Sequence, residues 1–328
     1  MTLRLRTPPL TPRRADPVGL IFGDGRSAEV LRRLELTVNR RLDGVLQGDY
    51  RGLVAGHGSE LGETRPYQPG DDVRRIDWNV TARTQSTHVR ETIADRELET
   101  WVLLDQSPSL DFGTARYEKR ELAVIAMAAV GFLTARTGNR LGAVLAGRGP
   151  RPAVVPARGG RIHLLGMLHR ALLNPVQQDP LAQPGEAELT SALHRLAALH
   201  QRRGLAVVIS DFLVEDDWSR SLGNLAARHE TLAIEIIDPR ELELPPVGVL
   251  TLVDPETGRR REVQTSSARL RARYAQAASA QRQAIAATIR ASGADHLVLR
   301  TDGDWLTDLI RFVSLRRERA ARLPRRTR

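Results

Sequence analysis

The chain has no cysteine, which excludes disulfides and thiolate-bound metal centres. Lysine is almost absent: Lys119 is the single example, and the other 48 of the 49 cationic residues are arginine. That ratio reads as a compositional bias of the genome rather than a phosphate-reading device. No apolar run reaches the roughly 20 residues a helix needs to cross a bilayer. The longest, LAVIAMAAVGFLTA (Leu122–Ala135), predicts instead a helix buried on most sides. The first arginines are followed by no apolar stretch, so no signal peptide is expected and a cytoplasmic protein is the simplest reading. H-E-x-x-H, a G-x-S-x-G elbow and a Walker A lysine loop are all missing. The glycine-rich AGHGSELG (55–62) opens no helical pattern, which argues against a phosphate cradle, and the eight histidines are scattered rather than paired at ligand spacing.

What is present is a chain of 328 residues, 41% of them hydrophobic, long enough for one large domain and a smaller one. The net charge of +10 invites a nucleic-acid reading, but its location argues against one. Residues 1–14 carry four Arg and no acid, and residues 316–328 carry seven Arg and one Glu, so the two ends hold the whole excess. A folded nucleic-acid binder places its basic stripe on a structured face. Basic tails retain the capacity to touch phosphates or an anionic surface.

Residues 1–26, rich in Pro, Arg and Gly, read as a disordered basic leader. Ser27 is placed to cap a helix with apolar residues at 30, 31, 34, 38 and 42. With it, the turn-rich charged stretch up to Glu97 makes a segment 27–97 that looks like a helix plus a small β-rich unit. From Leu98 the rhythm changes. Apolar strands at 98–105, 141–147, 152–157, 204–212, 231–238 and 296–301 alternate with helices at 117–137, 161–173, 188–202, 217–229 and 266–291, and with one from Trp305. A hairpin over 249–263 turns at Thr257-Gly258. This alternation predicts an α/β domain over 98–315, a mostly parallel sheet covered by helices on both faces, followed by a basic tail at 316–328.

Ligands in such folds bind beyond the carboxyl ends of the strands, where Asp105 and Asp211 fall. D-Q-S-P-S (Asp105–Ser109) sets a carboxylate and two hydroxyls, Ser107 and Ser109, at positions able to converge as hard oxygen ligands for Mg²⁺ or another divalent cation. Asp211 would join directly or through a water. The plainer reading is that Asp105 and the serines cap a helix and close a turn. A two-metal hydrolase built from Asp71, Asp72, Asp77, Asp105 and Asp211 is a third reading, disfavoured because no catalytic motif accompanies it.

The stretch RPYQPGDDVRRIDWNVTAR (65–83) is the densest block of charge. Pro69 and Gly70 form a tight turn. Asp71, Asp72 and Asp77 stand against Arg65, Arg74, Arg75 and Arg83 as candidate carboxylate–guanidinium pairs. Trp78 is a candidate apolar anchor with an Arg stacked on its ring. The block either locks the small unit in place or forms a docking surface for a partner.

LLDQSPSLDFG resembles the metal-ion-dependent adhesion site of von Willebrand factor A domains. Taken with the 65–83 motif, VVISDF and DPRELELP, the chain resembles the bacterial DUF58 family from about Gly48 to Phe312. The resemblance implies a von Willebrand factor A-like (Rossmann-like) fold and a non-enzymatic adaptor. It further implies a MoxR-type AAA+ ATPase as partner, with chaperone-like assembly or activation of some client protein. It also implies a metal completed by a partner's carboxylate. The family pattern places a Thr where this chain has Ala187, counted back from Ala192-Leu193; Thr190 is the substitute ligand expected, with Ser191, Glu186 and Glu188 as alternatives. The competing expectation is binding of nucleic acid or an anionic surface through the basic tails.

Overall fold

The computed structural model describes residues 36, 64–68, 73, 76–90, 99–136, 138–147, 151–173, 189–214, 217–253 and 258–322. Two compact units divide the chain, one within Ala55–Glu97 and one containing Leu98–Arg328. The leader, the helix expected at 27–42 apart from helical Leu36, Pro69, Gly70, Asp71, Asp72, Arg74, Arg75 and Ala187 lie outside the described residues.

In the smaller unit, β1 (Thr64–Pro66), α1 (Trp78–Thr84) and β2 (His88–Arg90) follow one another. β1 and β2 pair antiparallel, with Arg65 opposite Val89. Asp77 caps α1: its Oδ1 accepts the backbone N–H groups of Asn79 and Val80. That cap satisfies two donors that a helix start otherwise leaves unpaired.

The larger unit begins with β3 (Glu99–Asp105), a short 3₁₀ turn (Pro108–Leu110), α2 (Lys119–Arg136), β4 (Arg140–Ala146), β5 (Ala153–Arg158), α3 (Arg161–Leu173) and α4 (Leu189–Leu199). It continues with β6 (Leu205–Ser210), α5 (Trp218–Ala226), β7 (Glu230–Ile237), α6 (Pro239–Leu242) and the hairpin β8 (Val249–Val253) and β9 (Arg260–Gln264). α7 (Ala268–Ala291), β10 (Asp295–Arg300) and α8 (Trp305–Arg322) complete it. The central sheet runs β10-β7-β6-β3-β4-β5, parallel except for β5, which pairs antiparallel with β4 at one edge. Numbered within the sheet, the order is the doubly wound 3-2-1-4-5-6 with the third strand reversed, and its switch point lies between β3 and β6.

Period-two alternation builds two cores from one sheet. Val102 and Leu104 of β3 pack with α2, α3 and α8 on one face. Trp101 and Leu103 pack with α4, α5 and α7 on the other. The whole stretch Leu122–Thr134 of α2 is buried, which accounts for its lack of a polar face. Gly142 in the middle of β4 leaves room for the Trp101 ring, which a Cβ there would approach to 2.8 Å. α8 continues through residue 322, so the first half of the segment expected as a basic tail is helix. Arg316 pairs with Glu230 at 3.1 Å and with Asp295 at 2.9 Å. Among the described residues no helix is long and apolar enough to cross a membrane.

Candidate functional site at the carboxyl edge of the sheet

Each of three neighbouring strands, β3, β6 and β7, runs into an aspartate at its carboxyl end: Asp105, Asp211 and Asp238. All three are buried. The chain leaves β3 through Gln106 and Ser107 into the 3₁₀ turn, and the turn is held from within. The Ser107 N–H donates to Asp105 Oδ1 at 2.8 Å. Ser107 Oγ and Ser109 Oγ share a hydrogen bond of 2.9 Å. From the next strand, the Ser210 hydroxyl donates to Asp105 Oδ2 at 2.6 Å. The expected trio Asp105, Ser107 and Ser109 therefore does converge, with Ser107 half-buried and the others buried. Burial and the nearby Asp211 charge push the Asp105 carboxyl up to about 6, against the downward pull of its hydrogen bonds from Ser210 and Ser107.

Asp211 is committed elsewhere. Its Oδ2 accepts from Lys119 Nζ at 2.6 Å and its Oδ1 from the Leu213 N–H at 3.1 Å. Lys119 begins α2, is fully buried, and reaches Glu241 Oε1 at 2.5 Å with the same ammonium. Burial alone disfavours that ammonium, yet the Asp211 and Glu241 charges more than offset it, and its pKa rises above the ordinary lysine value. For Asp211 likewise, burial works upward, but Lys119 holds the carboxyl below the usual aspartate range. Glu241 closes a capping box on α6, and its Oε2 accepts from Arg282 Nη2 at 2.7 Å. Arg282 also donates to Glu235 Oε1 at 3.0 Å and to the Asp211 carbonyl at 2.9 Å. His296 meets the remaining Glu235 oxygen at 2.8 Å.

Asp238 fastens the loop between the 3₁₀ turn and α2. It accepts the Thr114 N–H at 2.8 Å, the Thr114 hydroxyl at 2.6 Å and the Thr301 hydroxyl at 2.8 Å, while capping α6 through the Arg240 N–H at 2.9 Å. The N–H groups of Arg116 and Tyr117 donate to the Thr301 carbonyl. Residues 113–116 are exposed on this clamped base. The result is a surface loop with little freedom left to lose on binding.

The sequence expectation of one ion held jointly by Asp105, Ser107, Ser109, Asp211 and Thr190 meets an obstacle here. Both oxygens of Asp211 already accept hydrogen bonds, one from an ammonium, so the residues do not fit a divalent ion shared between the two strand ends. Thr190 sits in the first turn of α4 with its hydroxyl oxygen buried. Among the described residues, no group of three or more His, Asp or Glu is arranged to hold a metal.

In the block 65–83, Asp77 serves as a helix cap. Arg83 donates its Nε to the Asn79 carbonyl at 3.3 Å. Trp78, the expected apolar anchor, starts α1 and is 71% exposed.

Sequence reasoning missed Lys119, Thr114, Glu235, Asp238, Glu241, Arg282, His296 and Thr301. Two signals were present. Lys119 is the only lysine in an arginine-rich chain, and Asp238-Pro-Arg-Glu241 is a capping-box pattern placed directly after a strand.

Sheet order, the D-x-S-x-S connection leaving the first strand of the sheet and helices on both faces define a von Willebrand factor A-like α/β domain. The chain belongs to the family described as "Protein of unknown function DUF58", whose pattern matches residues 63–284. Similar proteins include the uncharacterized protein Rv1480 of Mycobacterium tuberculosis (strain ATCC 25618 / H37Rv), 54% identical over 297 residues, 90% of this chain and 92% of that one. The uncharacterized protein YeaD of Bacillus subtilis (strain 168) is 28% identical over 161 residues, 49% of this chain and 36% of YeaD. Among solved structures, BatB from Bacteroides thetaiotaomicron aligns with a TM-score of 0.41 and 13% identity, covering 67% of this chain and 99% of that one. The SpRpn10 VWA domain aligns with a TM-score of 0.33 and 16% identity, covering 65% and 93%.

Proposed function

We propose that this protein is a non-enzymatic adaptor in the cytoplasm that binds other proteins through the carboxyl edge of its sheet. In this reading it works with a MoxR-type AAA+ ATPase in the chaperone-like assembly or activation of a client. The observation that carries the reading is the exposed loop 113–116, which follows the D-x-S-x-S turn and is clamped by Asp238 and Thr301. A preordered polar loop over the carboxyl ends of parallel strands is a recognition surface. It carries none of the nucleophile–base pairs on which hydrolytic chemistry depends. Family membership and the 65–83 motif support the ATPase as partner, with the exposed Trp78 as a contact of the aromatic kind enriched at binding hot spots.

The test is capture of the purified AAA+ ATPase encoded in the same organism by the full-length protein. Ser107→Arg and Arg116→Glu at the rim, or Asp71→Ala and Arg75→Ala in the motif, should each weaken capture by about tenfold, equivalent to ~1.4 kcal/mol, with unfolding midpoints unchanged. Undiminished capture by all four variants would sink the assignment of these surfaces. Binding through the basic ends is the competing reading. It predicts that deleting 316–328 abolishes association with DNA or anionic vesicles and that the association falls steeply with salt. The pairing of Arg316 with Glu230 and Asp295 speaks against it, since that guanidinium serves the fold.

A further inference from the structure

The acidic strand ends at the switch point raise an electrostatic question: what balances their charge? Asp211 and Glu241 are both buried, Asp211 completely, so water screens them little. Isolated carboxylates in such surroundings are strongly destabilising and require a cation or protonation. The cation is present as part of the chain. Lys119 Nζ lies 2.6 Å from Asp211 and 2.5 Å from Glu241, with no exposed side-chain surface. Its backbone N–H donates to the Phe112 carbonyl at 2.8 Å, which anchors the main chain at the foot of the loop that leaves the D-x-S-x-S turn.

We propose that the Lys119 ammonium is the resident cation of this strand-tip site, standing in for a divalent ion between the acidic strand ends, so that the site is complete without metal. Three independent features carry this inference. Every carboxylate oxygen of Asp211, Glu241 and Glu235 already accepts from a donor on the chain, so an ion would have to crowd or displace donors the fold already supplies. A divalent ion lodged against Asp211 would also lie next to a buried ammonium, and like charges repel strongly at low dielectric. Finally, the one lysine in a chain with 48 arginines stands at this position. A compact ammonium presents three donors from one point, whereas the planar guanidinium fork needs a wider cavity. The structure gives Arg282 the wider role, bridging Glu235, Glu241 and the Asp211 carbonyl.

The inference concerns the same rim as the proposed interaction, but its test needs no partner, so the two fail separately. Full-length protein is titrated with Mn²⁺ and Mg²⁺, reading bound ion by calorimetry and by the paramagnetic resonance signal of Mn²⁺. Its unfolding midpoint is followed with each ion and with chelator. The wild type should take up no ion at the site, and its midpoint should move with neither ion nor chelator. Lys119→Ala leaves Asp211 and Glu241 facing each other across a cavity. It should gain saturable uptake of one ion, with a midpoint that rises as ion is added, and adding Asp211→Asn should remove the gain. Saturable binding of one ion to the wild type, lost in Asp211→Asn, overturns the proposal. So does a folded Lys119→Ala variant that binds ion no better than the wild type. Should Lys119→Ala fail to fold in every ion condition, the wild-type titration alone decides, since ion uptake there is incompatible with a site the ammonium already fills.

Discussion

The Ser210 hydroxyl donates to Asp105 Oδ2 at 2.6 Å, joining the ends of two adjacent parallel strands 105 residues apart in sequence. This bond lowers the Asp105 pKa, yet burial and the Asp211 charge outweigh it, leaving the carboxyl near 6 rather than at its ordinary 3.8. Between those two values the folded protein holds a proton that the unfolded chain has released, so this group's contribution to stability falls as pH rises through that window. Above it, the full cost of an ionised buried carboxylate is present. Asp105→Asn should therefore be more stable than the wild type by about 1–3 kcal/mol at about pH 7.5, with the advantage vanishing below about pH 4. Urea unfolding at the two pH values checks this. A variant no more stable at neutral pH would show that Asp105 is not strained there.

His200 behaves in the opposite sense. It is 1% exposed, and its ring stacks on His229 at 3.8 Å between centroids. Burial, with His229 adding to it, depresses its pKa from 6.5 to about 4. The unfolded chain binds a proton in that window while the folded protein does not, so stability is lost as pH falls from 6.5 towards 4. His200→Phe keeps an aromatic ring in the stack and should flatten this part of the stability–pH curve. An unchanged slope would remove His200 as its source.

Gly204 precedes β6 where the chain passes against β3. A Cβ there would lie 2.1 Å from the Glu99 carbonyl oxygen and 2.8 Å from His200 Nε2. Because the first obstacle is backbone, Gly204→Ala should cost at least about 2 kcal/mol through overpacking. Gly166→Ala, with open space around its Cβ position, is the control and should be neutral or slightly stabilising in a helix interior.

Asp77 and Trp78 are neighbours with separable roles. Asp77→Ala removes the α1 cap and should destabilise that helix by about 1 kcal/mol, measurable as faster amide exchange in residues 79–84. Trp78→Ala removes a ring that is largely in water and should change stability by less than about 0.5 kcal/mol. Loss of ATPase capture in Trp78→Ala without a stability change would mark the ring as a contact; loss of stability would make it structural.

Asp238 receives four hydrogen bonds from three segments. Asp238→Ala leaves the Thr114 and Arg240 amides without their acceptor and should destabilise the fold by about 3 kcal/mol. The loop 113–116 should lose exchange protection before the sheet does. Equal protection in variant and wild type would show that Asp238 does not fix the loop.

Local pattern alone determined the larger part of the fold. Apolar strands of five to eight residues, the long apolar helix at 122–135 and the exact span of α3 were legible because burial on both faces of a parallel sheet imposes continuous hydrophobic runs. The D-x-S-x-S turn was legible because its partners are two and four residues apart. The reversal of β5 at the sheet edge and the helical course of 316–322 were not, since pairing direction and helix end depend on neighbours distant in sequence. Nor was the charge balance at the strand tips. A sequence displays two acids that suit a metal, but Lys119 enters from 92 residues before Asp211 and 122 before Glu241. Which cation neutralises a buried carboxylate is decided by what the packed chain delivers to within about 3 Å of it, and that distance exists only once the sheet and α2 have come together.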